Sequence, residues 1–312
     1  MTAGNASAGS RQAVEWFVSR IVSLLPESEE LTPLPTRPAE LDDVPSAAWS
    51  QLEKCCGDLT LERMLLIPGT RKRPSRWYRP ALRTRVVAFG SRAVGQWTED
   101  DGEGAVEFIP LDDVRAIDDR LILLYGRLSV IGRHSRIVVQ YNAVARRQLR
   151  DSILWLRCKI AGPEFATPRN FVWIGEKSIE RPEGELPHKW AYMLVSRDDL
   201  RIDPSSNEMV AVGGVTEIGR SRGPATGIAV LGPHELVVAA EPPDCLYASR
   251  YGVDLTVVPR RFLGDITWSR GDLHIRLRES DDAPAGASIS RPLDERLYQA
   301  MRRSFGDAVT WA

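Results

Sequence analysis

A basic stretch at residues 69–85 holds the densest set of side chains that could bind a ligand. It reads GTRKRPSRWYRPALRTR and contains no acidic residue. Guanidinium groups donate paired hydrogen bonds to phosphate and carboxylate oxygens, and a Trp–Tyr pair can lie at a membrane interface or stack on nucleic-acid bases. The stretch therefore predicts an anion-binding or partner-binding site made of Arg71, Lys72, Arg73, Arg76, Trp77, Tyr78, Arg79, Arg83 and Arg85.

Four interpretations of this basic stretch follow from its chemistry: it binds an anionic lipid surface, an acidic protein partner, a nucleic acid, or nothing. The chain has 41 basic and 42 acidic residues and a net charge of −1, so no overall field attracts nucleic acid. Only five of the basic residues are Lys, and this general preference for Arg makes an Arg cluster weaker evidence of function. Nucleic acid is therefore the least favoured partner, while lipid and protein both stay open.

Motifs for catalysis or metal binding are poorly formed in this sequence. Residues 219–223, GRSRG, match G-x-S-x-G, but a nucleophile elbow needs a helix directly after Ser221, and a strand-like segment follows instead. The carboxylate pairs, such as Asp118 and Asp119, are interpreted as turn formers at strand ends. No Cys or His pair stands at the spacing of a zinc site; the histidines are His134, His188, His234 and His274. We expect no catalytic residue, metal or cofactor, and an enzyme with an unrecognised site ranks third among the functions.

The first 60 residues differ in composition from the rest of the chain. Residues 11–25 place apolar side chains at helical spacing, which predicts a helix that docks on protein or, alternatively, lies on a membrane. Residues 26–45 contain five Pro and six acidic residues against one Arg, which is typical of an extended linker. Such a linker can reach across a small domain, so we hypothesise that it masks the basic stretch until a ligand displaces it. A short helix capped by Ser46 follows the linker.

From residue 61 onward, apolar residues alternate with polar ones, as they do in half-buried β-strands. A series of short strand-like segments separated by Gly or Asp turns extends to residue 141, and a helix follows, capped by Asn142 and ended by Gly162. The same order returns between residues 191 and 306, where a second strand series precedes a helix capped by Ser290. The pattern predicts two copies of a strand meander followed by one helix.

About seven antiparallel strands closed by one helix resemble the pleckstrin-homology-like (PH-like) fold, here as a tandem pair of the bacterial kind. The best local match is QLRDSILWLR, because PH domains commonly carry a Trp in this helix, packed on the sheet, and Trp155 stands at that position. The second helix departs from the pattern, with Tyr298 and Phe305 as its only aromatic residues. The resemblance covers residues 60–162 and 186–308. It implies a binding module without a catalytic signature, whose loop between the first two strands can contact lipid headgroups.

The fold class predicted from these patterns is mainly β (α+β), with two small antiparallel barrel or curled-sheet modules, each closed by a C-terminal helix. The predicted boundaries are 1–59 for a helical N-terminal segment with its acidic linker, 60–162 and 186–312 for the modules, and 163–185 for the join. We expect a non-enzymatic adaptor or scaffold that binds a protein partner, with peripheral binding of anionic lipid as the alternative. The chain shows no signal sequence and no long apolar run, which predicts a cytoplasmic location, or else the membrane periphery. The oligomeric state is left open.

Overall fold

Antiparallel strands make up most of the described structure. The computed structural model describes residues 35–69, 83–100, 104–122, 125–142, 146–161, 209–213, 227–240, 253–278, 288–292 and 295–311. All of these residues fall in one structural unit. Within them, the chain forms fifteen strands and three α-helices, so the prediction of a mainly β protein is confirmed.

The strands follow one another in two similar series, which we call the first half and the second half. The first half contains α1 (Ser46–Cys56), β1 (Met64–Ile67), β2 (Arg85–Phe89), β3 (Ala93–Thr98), β4 (Ala105–Pro110), β5 (Ala116–Ile122), β6 (Tyr125–Ile131), β7 (Arg136–Asn142) and α2 (Arg146–Ala161). The second half contains β8 (Met209–Gly213), β9 (Gly227–Leu231), β10 (Glu235–Ala240), β11 (Val253–Pro259), β12 (Leu263–Ser269), β13 (Asp272–Leu277), β14 (Ser288–Pro292), α3 (Glu295–Phe305) and β15 (Thr310–Trp311).

Three sheets arise from these strands. Sheet A has the order β1-β2-β3-β4, sheet B the order β7-β6-β5-β11-β10-β9-β8, and sheet C the order β14-β13-β12-β15. Every pairing is antiparallel except that of the two-residue strand β15, which runs parallel to β12. Within the described residues no sheet closes into a barrel, because sheets A and C each keep two edge strands and sheet B ends at β7 and β8.

Sheet B joins the two halves through the pairing of β5 with β11, which we call the seam. The register places Ile117 opposite Val257 and Asp118 opposite Thr256. The three strands β5–β7 of the first half and the four strands β8–β11 of the second half thereby form one continuous sheet. The predicted boundaries at 162 and 186 stay a prediction, but the described strands on either side of them share a hydrogen-bonded ladder.

Three apolar clusters pack on the faces of these sheets. The first core lies between sheet A, α2 and one face of sheet B, and it contains side chains of both halves, such as Ile117 and Val257. The second core lies between the other face of sheet B, sheet C and α3, and it includes Val238, Ile266 and Met301. The third covers the outer face of sheet A with α1. Strands β9, β10 and β11 of sheet B are therefore buried on both faces, which explains the nearly unbroken apolar sequences of β9 and β10.

Helix α1 reaches the outer face of sheet A because two glycines there leave room for it. A Cβ on Gly95 would lie 2.5 Å from the Cys56 sulfur and 2.8 Å from a Leu52 methyl, and one on Gly90 would lie 2.4 Å from the Cys56 carbonyl oxygen. Leu52 and Cys56 are fully buried in this contact. The helix predicted after Ser46 is thus an integral layer of the fold, although the sequence placed it in a separate N-terminal segment.

Helix α2 carries Trp155 against the edge of the first core. The indole is half-buried, and the Arg63 guanidinium carbon lies 4.5 Å from its ring centroid. The apolar positions of α2 that enter the core are Leu149, Ile153, Leu156 and Ile160, spaced at three and four residues as the helical pattern predicts. Trp155 therefore packs beside the cation of Arg63 at the rim of the core.

Candidate functional site

The predicted basic site can be followed only at its C-terminal end. Arg83 pairs with Asp100, with 2.8 Å between the guanidinium nitrogen and the carboxylate oxygen, and both side chains are about half exposed. Arg85 begins β2 and is half-buried, and its burial lowers the pKa of its guanidinium. The remaining predicted residues lie outside the described residues: Arg71, Lys72, Arg73, Arg76, Trp77, Tyr78 and Arg79. Binding by the basic stretch stays a prediction.

The candidates for chemistry converge on no site in the described residues. Ser221 and His188 lie outside them, and His274 makes a 3.0 Å contact with Ser269. No group of three or more potential metal ligands gathers in the part of the chain that the structure describes. None of the described helices is long and apolar enough to cross a membrane.

Asp118 and Asp119 are wrongly interpreted as turn formers, whereas the pair Asp112 and Asp113 does lie in a turn, Leu111–Asp113. Asp118 and Asp119 lie in the middle of β5 and are buried. Asp119 faces the first core, where it accepts a hydrogen bond of 2.6 Å from the Tyr141 hydroxyl, and Asp118 accepts one of 3.3 Å from the Thr256 hydroxyl across the seam. These partners satisfy the carboxylates inside the sheet, so the turn preference of Asp does not decide the local structure.

In the seam, β5 of the first half occupies the outer edge of β11, the fourth strand of the second half. Arg120 of β5 donates two hydrogen bonds of 3.0 Å to the carboxylate of Asp254 on β11, and the Asp254 side chain is 2% exposed. A second buried ion pair joins the halves beside the seam, between Arg157 of α2 and Glu235 of β10. A strand from one half thus adds to the edge strand of the other, and charge-assisted bonds fix the register.

Among the described residues, the two halves share one order of elements: four strands, a 3₁₀ turn directly after a Pro, three strands and a helix. The turn Leu111–Asp113 follows Pro110, and the turn Arg260–Phe262 follows Pro259. A shift of 149 residues therefore aligns β4 with β11.

Backbone hydrogen bonds repeat in the same way. The Leu111 amide donates to the Arg92 carbonyl at 2.9 Å, and the Arg260 amide donates to the His234 carbonyl at 2.7 Å. Each bond lies at the same place in its half, directly beyond the paired ends of the third and fourth strands. These strands are β3 and β4 in the first half and β10 and β11 in the second. The alignment of β4 with β11 consequently rests on backbone geometry as well as on element order.

Strand β4 leaves its outer edge without a partner strand among the described residues, and we call this edge, Ala105–Pro110, the open edge. The exposed large apolar side chains of the described structure are Phe108, at 45%, and Leu41, at 50%. Phe108 aligns with Val257, which is fully buried against the first core beside Ile117. The position that is covered in the second half is therefore uncovered in the first.

The outward backbone groups of the open edge can be assigned from the ladder. Because residues of antiparallel strands alternate between bonding to one neighbour and pointing away, the Leu111–Arg92 bond directs the amides of Ile109 and Glu107 toward β3. The amides and carbonyls of Phe108 and Val106 then point outward. The equivalent groups in β11 pair with β5 in the seam.

The hairpin that carries the open edge is strongly acidic. Residues 99–113 contain seven acidic residues and no basic one, whereas the aligned residues 248–262 contain one acidic residue and three Arg. Two of the acids are engaged, Asp100 with Arg83 and Asp113 with Arg115. Glu107 is exposed on the open edge itself. The sequence predicts the strand but not this contrast in charge, which becomes visible only when β4 is aligned with β11.

No protein-family model, no curated protein and no solved structure matches this chain. The chemistry of the site must therefore be inferred from its own geometry. A strand edge without a partner among the described residues, with outward amides, an exposed aromatic ring and a neighbouring carboxylate, can bind an extended chain by main-chain hydrogen bonds.

Proposed function

We propose that this protein is a non-enzymatic adaptor that binds a protein partner by strand addition at the open edge of β4. The observation that carries the proposal is the contrast between Phe108, 45% exposed, and its counterpart Val257, fully buried by the pairing of β11 with β5. Natural proteins usually cover or charge an exposed sheet edge, because an uncovered one pairs with other chains. An edge with an exposed Phe is consistent with a surface kept for a partner.

The tandem PH-like resemblance supports this interpretation at the level of architecture. Among the described residues, each half has seven strands followed by one helix, which agrees with the strand number that the resemblance implies. Such modules act by binding, and the described residues offer an edge for binding in the first half that the second half already uses internally. The alternative of lipid binding through the basic stretch, most of which lies outside the described residues, stays a prediction.

The proposal can be tested with a photo-crosslinking residue placed at position 108 of the full chain in its native cell. Leu41 provides the matched control, because it is the other exposed large apolar side chain of the described residues, at 50%. We expect a specific adduct with a protein from position 108 and none of the same mass from position 41. Adding Val106→Pro should reduce the adduct about tenfold, because Pro removes an outward amide and leaves the bonds to β3 in place.

The crosslinking result must be read together with the folded state of each variant. Circular dichroism should show that Val106→Pro keeps the fold of the wild type, since the lost amide has no partner in the described structure, while the loss of Val106 contacts with the third core lowers its unfolding temperature slightly. The proposal is wrong if positions 108 and 41 give the same adducts, or if the Pro variant folds normally and crosslinks as well as the wild type.

A further inference from the structure

We propose that the segment bound at the open edge alternates apolar residues with cationic ones and places a Lys or Arg opposite Glu107. This inference rests on the proposed strand addition and specifies the chemistry of the partner. Its template is the seam, where the same kind of edge is already occupied.

The seam shows which residues face one another across such an edge. Thr256 of β11 donates its hydroxyl to Asp118 of β5, so the added strand supplies the acceptor at that position. Glu107 takes the place of Thr256 when β4 is aligned with β11. An ionised carboxylate only accepts hydrogen bonds, and the group opposite it must therefore be a donor. A cationic donor gives the stronger, charge-assisted bond.

The charge around the open edge favours a cation over a neutral donor. Glu99 and Asp112 are exposed on the same hairpin, and neither they nor Glu107 have an ion-pair partner among the described residues. Two further acids of this stretch, Asp101 and Glu103, lie outside the described residues. A neutral Ser or Thr opposite Glu107 would leave this excess of negative charge uncompensated, whereas Lys or Arg would offset it.

The apolar part of the partner follows from the other face of the strand. Phe108 and Val106 share one face, and Val106 already packs against the third core beneath α1. In the seam, Val257 lies beside Ile117, and both side chains are buried. A partner strand needs an apolar residue at the position opposite Phe108 to bury the ring in the same manner, which sets the alternation of apolar and cationic residues.

Peptides derived from β5 are suitable probes, because β5 is the strand that occupies the equivalent edge. Its sequence is AIDDRLI. Changing Asp119 to Val and Asp118 to Lys, Thr or Glu gives three fluorescent peptides, AIKVRLI, AITVRLI and AIEVRLI, that differ only opposite Glu107. Their affinities for the full chain are measured by fluorescence anisotropy. We expect the Lys peptide to bind about threefold to tenfold more tightly than the Thr peptide and the Glu peptide to bind most weakly.

Three variants of the full chain make the comparison specific. Phe108→Glu should weaken all three peptides about tenfold or more, while Leu41→Glu, the matched change at the other exposed apolar residue, should leave them unchanged. Glu107→Lys should reverse the order, so that the Glu peptide binds most tightly. Raising the salt concentration should bring the three affinities closer together, since salt screens the interaction between the exposed Glu107 and the peptide residue opposite it.

The outcomes separate this inference from the proposed function. If the three peptides bind equally and Phe108→Glu weakens them, strand addition stands and the requirement for a cation is wrong. If no peptide binds at concentrations up to about 1 mM, or if binding ignores both Phe108→Glu and Glu107→Lys, the strand addition itself is wrong. The reversed order in Glu107→Lys is the result that supports the full inference.

Discussion

Cys56 shows how burial sets the chemistry of one residue. Its side chain is fully buried between α1 and the glycines of sheet A. Burial, reinforced by the neighbouring Cys55, raises the pKa of the Cys56 thiol from its ordinary value of 9.0 to about 12, against a smaller opposing effect of Arg92. The thiol therefore stays protonated under ordinary conditions, as expected of a cysteine that serves the packing of α1.

The raised pKa of Cys56 predicts a loss of stability at high pH. The unfolded thiol ionises near pH 9 while the folded one does not, so its contribution to the free energy of unfolding is complete below pH 9 and is lost as the pH rises toward 12. The difference in that free energy between wild type and Cys56→Ala should shrink by about 1.4 kcal/mol per pH unit in this window. Urea titrations at several pH values measure it.

The rate at which each thiol is alkylated gives a control for this expectation. In the folded protein, iodoacetamide should modify the half-buried Cys55 well before Cys56. Equal rates of modification, determined by mass spectrometry, would show that Cys56 is accessible and would contradict the assignment of its pKa to burial.

The seam is the element pair that decides how the halves are held together. Asp254→Ala leaves Arg120 without its bidentate partner, and we expect it to lower the free energy of unfolding by about 2–4 kcal/mol. Arg83→Ala breaks an ion pair whose side chains are about half exposed, and should change the free energy of unfolding by less than about 1 kcal/mol. Chemical denaturation of the two variants tests the difference. An equally small effect for both would mean that the seam is held by its backbone ladder and apolar contacts alone.

The elements themselves were largely predictable from sequence, whereas their pairing was not. Alternation located β2, β3 and β4, and helical spacing located α2 and α3, because both patterns are local. The local sequence predicts a turn at Asp118 and Asp119, where the structure has the middle of β5. Their hydrogen-bond partners lie on other strands, so the local pattern does not reveal them. The nearly unbroken apolar runs of β9 and β10 were the signal of a sheet covered on both faces.

The candidate site was predictable only in part, for a related reason. The sequence predicts a site in the basic stretch, and of that predicted site Arg83 and Arg85 lie in the described residues. The exposure of Phe108 could not be deduced from GAVEFIPL, because an alternating strand looks the same whether its edge is paired or open. Only the comparison with β11, whose outer edge is paired with β5, draws attention to the edge of β4, which has no partner strand among the described residues.

At the scale of the whole molecule, a shared sheet and a shared core lead us to expect that the two halves unfold together. The first core contains Ile117 of one half and Val257 of the other, and Arg157 pairs with Glu235 between them. Denaturation followed by tryptophan fluorescence and by circular dichroism should give one coincident transition. Two separated transitions would instead favour the independent modules that the boundaries at 162 and 186 imply.

The seam also has a consequence for the synthesis of the protein on the ribosome. Asp118 and its partner Thr256 are 138 residues apart in the chain, so β5 leaves the ribosome long before β11 exists. At about 5–20 residues per second, the interval is about 7–28 s. During that time the edge of β5 is an unsatisfied template in the crowded cell, and a nascent first half can pair with its neighbours on the same polysome. A chaperone that holds this strand until translation passes residue 259 would determine how much of the protein reaches its native state.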